Sequence, residues 1–397
     1  MAEEVSGPVA GVPIAPRRDG LVSALSLCDC LACPETRQPL CLLTGDDLAQ
    51  VRGAQAPLRT RAGAALVPSL EAGLLREDRR VLYPVVDGIP RLIAGEGIAL
   101  AEDVSPVDTT AGPYGEAYRE VAIYDAFAAS RSFEVQLREL FGPALLSPTA
   151  VRQEDRETFP APLPLWAGEN LAACTSWAQV QAYRFLSPLA GRCCIQVGGQ
   201  GSHLIKLLLA GADEGVLLAP SPEELKAARQ AAEHFGVGGR LLCVQAIAEQ
   251  LPLLDGCVEL FHASATMHHT DIRLSFPEVA RVLKPGGRAA LVEPLATPLY
   301  DLVRRLIGRP WCGCQAESHD YPLRQRDVLA AAQGFRALEV RSTGALFRYP
   351  VVAFQRLTSI RLPLRLSYLL LRADAYLGRL VPPLRRLHSL AAICLTR

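Results

Sequence analysis

A short apolar run, Cys193-Cys194-Ile195-Gln196-Val197, breaks into Gly198-Gly199-Gln200-Gly201-Ser202 and then into Leu204, Leu207, Leu208 and Ala210 at helical spacing. This predicts a strand, a glycine turn and a helix, in which backbone amides approach a small ligand at the helix N-terminus. The alternation repeats. Val216 to Leu218 read as a second strand, and Ser221-Pro222-Glu223-Glu224 as a capped helix start with proline in the first turn. Leu225, Ala228, Ala232 and Phe235 give that helix an apolar stripe; Leu241 to Val244 and Val258 to Ala263 supply a third and a fourth strand. Ser275 and Glu278 form a second predicted capping box, ahead of Phe276, Val279, Ala280 and Leu283 on one face. Lys284-Pro285-Gly286-Gly287 is predicted to end that helix and turn into a fifth strand, Ala289 to Val292. Strands alternating with helices at this period imply an α/β fold with a doubly wound, mostly parallel sheet. Its ligand is expected at the carboxyl ends of the strands.

Composition narrows the partners. The 397 residues suit two or three domains, and half of them are apolar. Acidic and basic residues balance at 41 each, so nucleic acid is not an expected partner. Met1 to Gly20 lacks a basic-then-apolar pattern, so no secretory signal is expected, and no run of about 18 apolar residues suggests a membrane span. Twelve cysteines, among them Cys193, Cys194, Cys243 and Cys394 in predicted strands, suit reduced thiols and a cytoplasmic location.

Residues 1–20, with Gly7, Pro8, Pro13 and Pro16, are expected to be a loose tail. Residues 21–95 form a small β-rich unit containing Cys28, Cys30, Cys33 and Cys41, in which Asp87-Gly88 between β-branched residues predicts a hairpin. Through Leu31-Ala32-Cys33-Pro34-Glu35-Thr36, Pro39-Leu40 and Tyr83 to Leu92, the unit resembles the zinc-ribbon family of small methyltransferase-activating subunits. The metal form of that family pairs two cysteines around the proline and adds two later. Here Thr36 stands at the second position and Leu75 to Leu82 holds no cysteine. Cys30 and Cys33 with Cys28 or Cys41 could contribute to a zinc site, but tetrahedral zinc needs two well-spaced pairs, so a metal-free ribbon is expected.

Residues 96–180 are a proline-punctuated connector (Pro106, Pro113, Pro148, Pro160, Pro162, Pro164) with one helix expected from Tyr114 to Leu140. Residues 181–397 carry a further resemblance. Gly198-Gly199-Gln200-Gly201, the run Ala248 to Gly256, Met267-His268-His269, and Glu278 to Gly287 follow one another at the intervals found in class I S-adenosylmethionine-dependent methyltransferases of the ubiquinone/menaquinone-biosynthesis type. The similarity continues through Glu293-Pro294 and Ser318 to Leu323 to a helix at Arg324 to Ala332. It implies a seven-stranded Rossmann-like sheet completed by Leu338 to Arg341 and Ser389 to Leu395, with S-adenosylmethionine as cofactor. It also implies that Tyr114, Tyr118 and Tyr124 lie on a helix over the cofactor cleft; by spacing alone they are packing residues.

By the same resemblance the cofactor-binding positions are Gln196, Gly198, Gly199, Gly201, Ala219, Pro220, Ile247, Ala248 and Ser264. Several depart from the family pattern. Gln196 replaces the acidic residue at the end of the first strand, Gln200 a glycine, Ala219 the ribose-binding carboxylate, and Ile247 an acidic residue near the adenine. A hydrogen bond to a charged group is worth roughly 1.5–3 kcal/mol, so the losses must be made good elsewhere if the cofactor is to bind. Glu214 and Glu223 lie nearby, though neither sits at a strand tip. His268 and His269 are the candidate catalytic residues, as a general base toward the methyl acceptor; the competing reading has one packing and the other capping the next helix. Glu293, His319 and Asp320 are lesser candidates on the same rim, and salt bridging suits each of them. Cys312-Gly313-Cys314 lacks a fourth ligand, and no metal is expected there.

Residues 348–388 form a basic, apolar insertion in which eight arginines accompany one acid, Asp374. It can lie on an anionic bilayer, or form a helical lid on the sheet edge with its arginines outward. Three functions follow: a methyltransferase for a small or lipid-like metabolite, a methyltransferase fold turned to other chemistry, or a binding module at a partner or membrane surface.

Overall fold

The computed structural model describes residues 29–52, 59–64, 70, 72–141, 175–307, 322–358, 360 and 362–397. An N-terminal antiparallel sheet comes first, with strands β1 (Leu40–Thr44), β2 (Ala72–Arg76), β3 (Val81–Val86), β4 (Ile89–Pro90) and β5 (Ile98–Ala99), and helix α1 (Gly45–Arg52) after β1. Strands β1 to β4 pair in sequence order and β5 pairs with β3. The hairpin expected at Asp87-Gly88 joins β3 to β4, with both turn residues at positive φ, 53° and 71°.

Helices α2 (Gly112–Ala129), α3 (Phe133–Phe141) and α4 (Ser176–Leu186) lead to the main sheet. The single helix expected from Tyr114 to Leu140 is therefore two. The break is held by the Gln136 amide, which donates to the carbonyls of Ala128 (3.0 Å) and Arg131 (3.2 Å) where the first helix ends.

The main sheet alternates β6 (Cys193–Val197), α5 (Ser202–Leu209), β7 (Glu214–Ala219), α6 (Pro222–His234), β8 (Leu241–Gln245), β9 (Val258–Ser264), α7 (Ile272–Val282) and β10 (Leu283–Pro294). Then follow α8 (Pro298–Ile307), α9 (Gln325–Ala331), β11 (Ala337–Thr343), α10 (Arg348–Thr358), α11 (Leu364–Leu380) and β12 (Leu390–Thr396). The seven strands lie in the order β8-β7-β6-β9-β10-β12-β11. The pairs from β8 across to β10 are parallel, and β12 is antiparallel to both its neighbours, making the sheet mixed. The chain order reverses between β6 and β9, which opens a crevice at the carboxyl ends of those strands.

Two local readings are corrected. Helix α7 begins a turn earlier than the Ser275–Glu278 pattern suggested: Asp271 caps it, accepting from the Arg273 amide at 3.0 Å. Ser275 instead meets the Thr270 hydroxyl at 2.9 Å, and Glu278 accepts from the Leu251 amide and Arg281. Lys284 to Gly287 do not form a separate turn, because β10 starts at Leu283 and absorbs them in a register shift before Arg288, with Gly286 at φ 78°.

The N-terminal sheet shares a core with the main one. Leu31, Tyr83 and Leu92 belong to the same buried cluster as Ile195, Phe261 and Phe276. Main-chain contacts join the two, from Leu92 N to Gln245 O (2.8 Å) and from Ala32 N to Pro252 O (2.9 Å), and Arg37 reaches Glu278 at 2.9 Å. Cys33 is fully buried, with its Sγ 3.2 Å from the Tyr83 hydroxyl. Among the described residues no group of three or more His, Cys, Asp or Glu side chains is placed to hold a metal. No described helix is long and apolar enough to cross a membrane.

Candidate active site

A cavity of about 130 Å³ lies at the carboxyl ends of β6, β7 and β9. Its floor is the glycine turn, Val197, Gly198 and Gly199; one wall is Pro220, Glu224 and Ala246 to Glu249, and the other Ser264, Ala265, Thr266, His269 and Thr270. Pro113, Glu116, Ala117 and Tyr124 of α2 roof it. That helix is fastened by Asp125, whose Oδ1 accepts from the Ser221 hydroxyl (2.6 Å) and the Glu223 amide (3.1 Å) at the N-terminus of α6, where negative charge is favoured.

The glycines have different reasons. At Gly198, φ is 76° and an added Cβ would lie 2.4 Å from two Thr266 side-chain atoms, so the loop is pressed against the β9 exit. Gly199 has φ 70° and is exposed, and a Cβ there would meet only Gln196 Nε2 at 3.8 Å, so a ligand can approach the backbone closely. Gly201 caps α5 and packs on Leu217 and Ala228, away from the cavity.

Gln196 does not border the cavity. Its Nε2 donates to Gly198 O at 2.8 Å, and its Oε1 accepts from the Leu204 amide at 2.6 Å. An acid could make the second bond but has no hydrogen for the first, so glutamine here braces both ends of the glycine turn. Gln200 is buried outside the cavity lining. Ala219 is fully buried and likewise does not line it, whereas Pro220, Ile247, Ala248 and Ser264 do. Tyr114 and Tyr118 turn away, donating to Gln250 and to Glu96 (2.8 Å); Tyr124 faces the cavity.

The His268 and His269 rings are in tilted contact, with centres 4.2 Å apart and planes inclined at 41°. Only His269 borders the cavity. His268 Nδ1 lies 2.7 Å from Glu293 Oε2, and Glu293 Oε1 accepts from the amides of Thr266 (3.0 Å) and Met267 (2.9 Å). A carboxylate only accepts, so Nδ1 carries the hydrogen and the ring orientation is fixed. Glu293 is fully buried and holds the whole 266–268 segment against β10.

The sequence reading missed Glu224, Glu249 and Glu116 as lining groups. The Ser221–Glu224 pattern predicts a helix cap, and the Glu224 amide does donate to Ser221 Oγ at 3.1 Å. The residue nevertheless lines the cavity beside Pro220. The signal available was position, since the first turn of α6 follows directly on the β7 tip. Glu214 and Glu223 do not line it, and Glu223 pairs with Lys226 at 2.8 Å. His319, Asp320, Cys312, Cys314 and Cys28 lie outside the described residues.

Comparison with known proteins bears on this geometry. Residues 195–291 match the family model described as a methyltransferase domain. An uncharacterized methyltransferase of Mycobacterium tuberculosis is 34% identical over 133 residues, 32% of this chain and 52% of its own length. The ubiquinone/menaquinone biosynthesis C-methyltransferase UbiE of Rubrivivax gelatinosus is 34% identical over 30% of this chain and 45% of its own length. The mitochondrial 2-methoxy-6-polyprenyl-1,4-benzoquinol methylase of Gallus gallus is 35% identical over 23% of this chain and 32% of its own. The chain thus spans about half, or less, of the curated relatives it matches.

Proposed function

We propose that this protein is an S-adenosylmethionine-dependent methyltransferase acting on a small or lipid-like acceptor. The observation that carries the reading is the open backbone at Gly199, in a cleft at the strand-order reversal that Glu224 and Glu249 also line, inside the segment that matches a methyltransferase domain. The residues present fit the cofactor. Glu224 supplies, from the first turn of α6, the acid missing at Ala219, and Ala246, Ile247 and Ala248 offer an apolar wall to an adenine ring.

When bound, S-adenosylmethionine supplies an electrophilic methyl group on a sulfonium. The chain's own work is to position the acceptor and free it of its proton. His269, at the cleft wall, is the group that takes that proton. His268 and Glu293 act through it, since the pair sets the path of Thr266 and Met267 and the His268 ring is in contact with that of His269. The α2 roof excludes water when its Asp125 anchor is in place. The quinone-type names of the relatives support a lipid-like acceptor. The outward face of α11, with arginines and leucines side by side, supports delivery of that acceptor from an anionic membrane surface. The unit at 21–95, in which Cys33 is hydrogen-bonded to Tyr83, is read as a ribbon domain folded without metal.

Calorimetric titration of the purified protein with S-adenosylmethionine and S-adenosylhomocysteine tests the central claim. Micromolar binding of either, lost in Gly199→Val, supports it. Absence of binding at millimolar cofactor would instead favour a fold whose pocket serves another ligand, as Ala219-Pro220 at the β7 tip would allow.

A further inference from the structure

Cys30 belongs to the N-terminal unit and Cys257 to the turn that leads into β9, yet the fold sets them side by side. Leu31 bridges Leu253 in antiparallel fashion, the Leu254 amide donates to the Cys30 carbonyl at 2.8 Å, and Cys257 Sγ donates to the Leu254 carbonyl at 3.0 Å. Leu254 is therefore the hub on which both cysteines converge, the Cys30 carbonyl on its amide and the Cys257 thiol on its carbonyl. Both are half-buried, so a small solute can reach them. Beside them stands Lys284, paired with Glu259.

This environment makes the two sulfurs unequal. The neighbouring Cys257 thiol, helped by the Lys284 charge and opposed by burial, lowers the Cys30 thiol, while Cys257 is pushed up by Cys30 and by burial. The shift favours the Cys30 thiolate, with a neutral thiol as neighbour. The sheet cysteines differ: burial pushes Cys243 and Cys394 up to about 12.

We propose that Cys30 and Cys257 are a redox-sensitive pair that hydrogen peroxide converts into a disulfide, pinning the N-terminal unit to the wall of the cleft. The Cys30 thiolate attacks one peroxide oxygen; an S–O bond forms, the O–O bond breaks, and hydroxide leaves to become water, giving a sulfenic acid. Cys257 then surrenders its proton and attacks the Cys30 sulfur; the S–S bond forms, the S–O bond breaks and a second water departs. Two thiols lose two hydrogens and two electrons, and the peroxide gains them. The crosslink matters because residues 247–254 run from the cavity lining (Ile247, Ala248, Glu249) to the Leu254 hub. Oxidation removes the freedom of that wall to part from the N-terminal unit.

The test treats the reduced full-length protein with hydrogen peroxide, alkylates the remaining thiols and maps peptides by mass spectrometry. The expected result is a Cys30–Cys257 linked peptide and the loss of two alkylatable thiols. A rise of several degrees in melting temperature should accompany it, reversed by dithiothreitol and absent in Cys30→Ser and Cys257→Ser. In Cys257→Ser, Cys30 should instead be trapped as sulfenic acid by dimedone. Melting of both reduced variants near wild type shows that they fold. A link from Cys30 to Cys33 or Cys41, or a Cys30 that stays alkylatable after Cys41 has been oxidised, overturns the proposal.

Discussion

Glu293 and His268 are joined by a 2.7 Å hydrogen bond that ties β10 to the segment leaving β9, and the same carboxylate takes two backbone amides of that segment. Glu293→Gln keeps one acceptor oxygen but sets an amide N–H against the His268 Nδ1 hydrogen, so the ring must flip or change tautomer. Stability should fall by about 1–3 kcal/mol, the cost of a buried charge-assisted bond turned into a mismatch. If His269 is the proton acceptor, turnover should fall at least tenfold while S-adenosylhomocysteine affinity changes little. Melting curves and single-turnover assays read the two separately. An equal loss in affinity and turnover would mean that Glu293 shapes the cofactor pocket rather than the base.

The glycine turn offers a paired test. Gly198→Ala places a methyl on Thr266 at positive φ and should cost about 2–4 kcal/mol from strain and overlap together. Gly199→Ala meets no neighbour, so only the conformational cost of about 1 kcal/mol applies. Combining Gly198→Ala with Thr266→Ala should recover part of the loss, because the overlapping atoms are gone. Denaturant melts rank the three. A Gly198→Ala as mild as Gly199→Ala would show that the Thr266 contact is relaxed in solution.

These cases mark what was legible in the chain beforehand. Strand β6, its glycine turn and the Ser221 cap could be read because each depends on neighbours within a few residues. The Asp87-Gly88 hairpin was legible for the same reason. Gln196 was located correctly in the chain, but its bonds to Gly198 and Leu204 belong to a folded turn and cannot be read from type alone. Glu224 was hidden by an equally good local explanation, its capping box. Asp271 took the cap expected of Ser275 because Glu278 was drawn to Leu251, Arg281 and Arg37, a choice made by packing between distant segments. Asp125 on Ser221 is likewise a contact between elements, with no local signature.

On strand β9, His262 is fully buried, with Nε2 2.7 Å from the Gln179 amide and its ring near those of His203 and Tyr183. Burial pushes it from the ordinary 6.5 down to about 3. The folded protein therefore stays unprotonated at this site between those values while the unfolded chain takes up a proton. Stability from this group is complete above pH 6.5 and drains as pH falls toward 3, at up to about 1.4 kcal/mol per pH unit. His262→Gln retains a partner for Gln179 and should flatten the acid limb of a stability–pH profile, even though it lowers stability at pH 7. Parallel slopes for the two proteins between pH 6 and 4 would show that His262 is not the group responsible.

Helix α11 divides its charges by side. Ser367, Tyr368, Leu371, Asp374, Ala375 and Gly378 face inward, and Asp374, fully buried, accepts the amides of Leu346 and Phe347 at 3.0–3.1 Å. The insertion's one acid is thereby withdrawn. Outward stand Arg365, Leu366, Leu369, Arg372, Tyr376, Arg379 and Leu380, with exposed Phe354 and Leu357 on α10. An arginine near an anionic bilayer contributes about 1 kcal/mol, and each inserted leucine adds the transfer energy of its exposed area. The helix thus packs on the sheet as a lid does, while its outer face retains what an interfacial helix needs. The full-length protein should cosediment with phosphatidylserine-containing vesicles, weaken with salt, and bind pure phosphatidylcholine poorly. Arg365→Glu, Arg372→Glu and Arg379→Glu together should reduce binding at least tenfold. Leu369→Asp should reduce it with less effect on its salt dependence, which separates insertion from charge. Wild-type protein that stays in the supernatant at low salt would leave the outer face of α11 as ordinary surface, and a lipid-like acceptor would have to reach the cleft from solution.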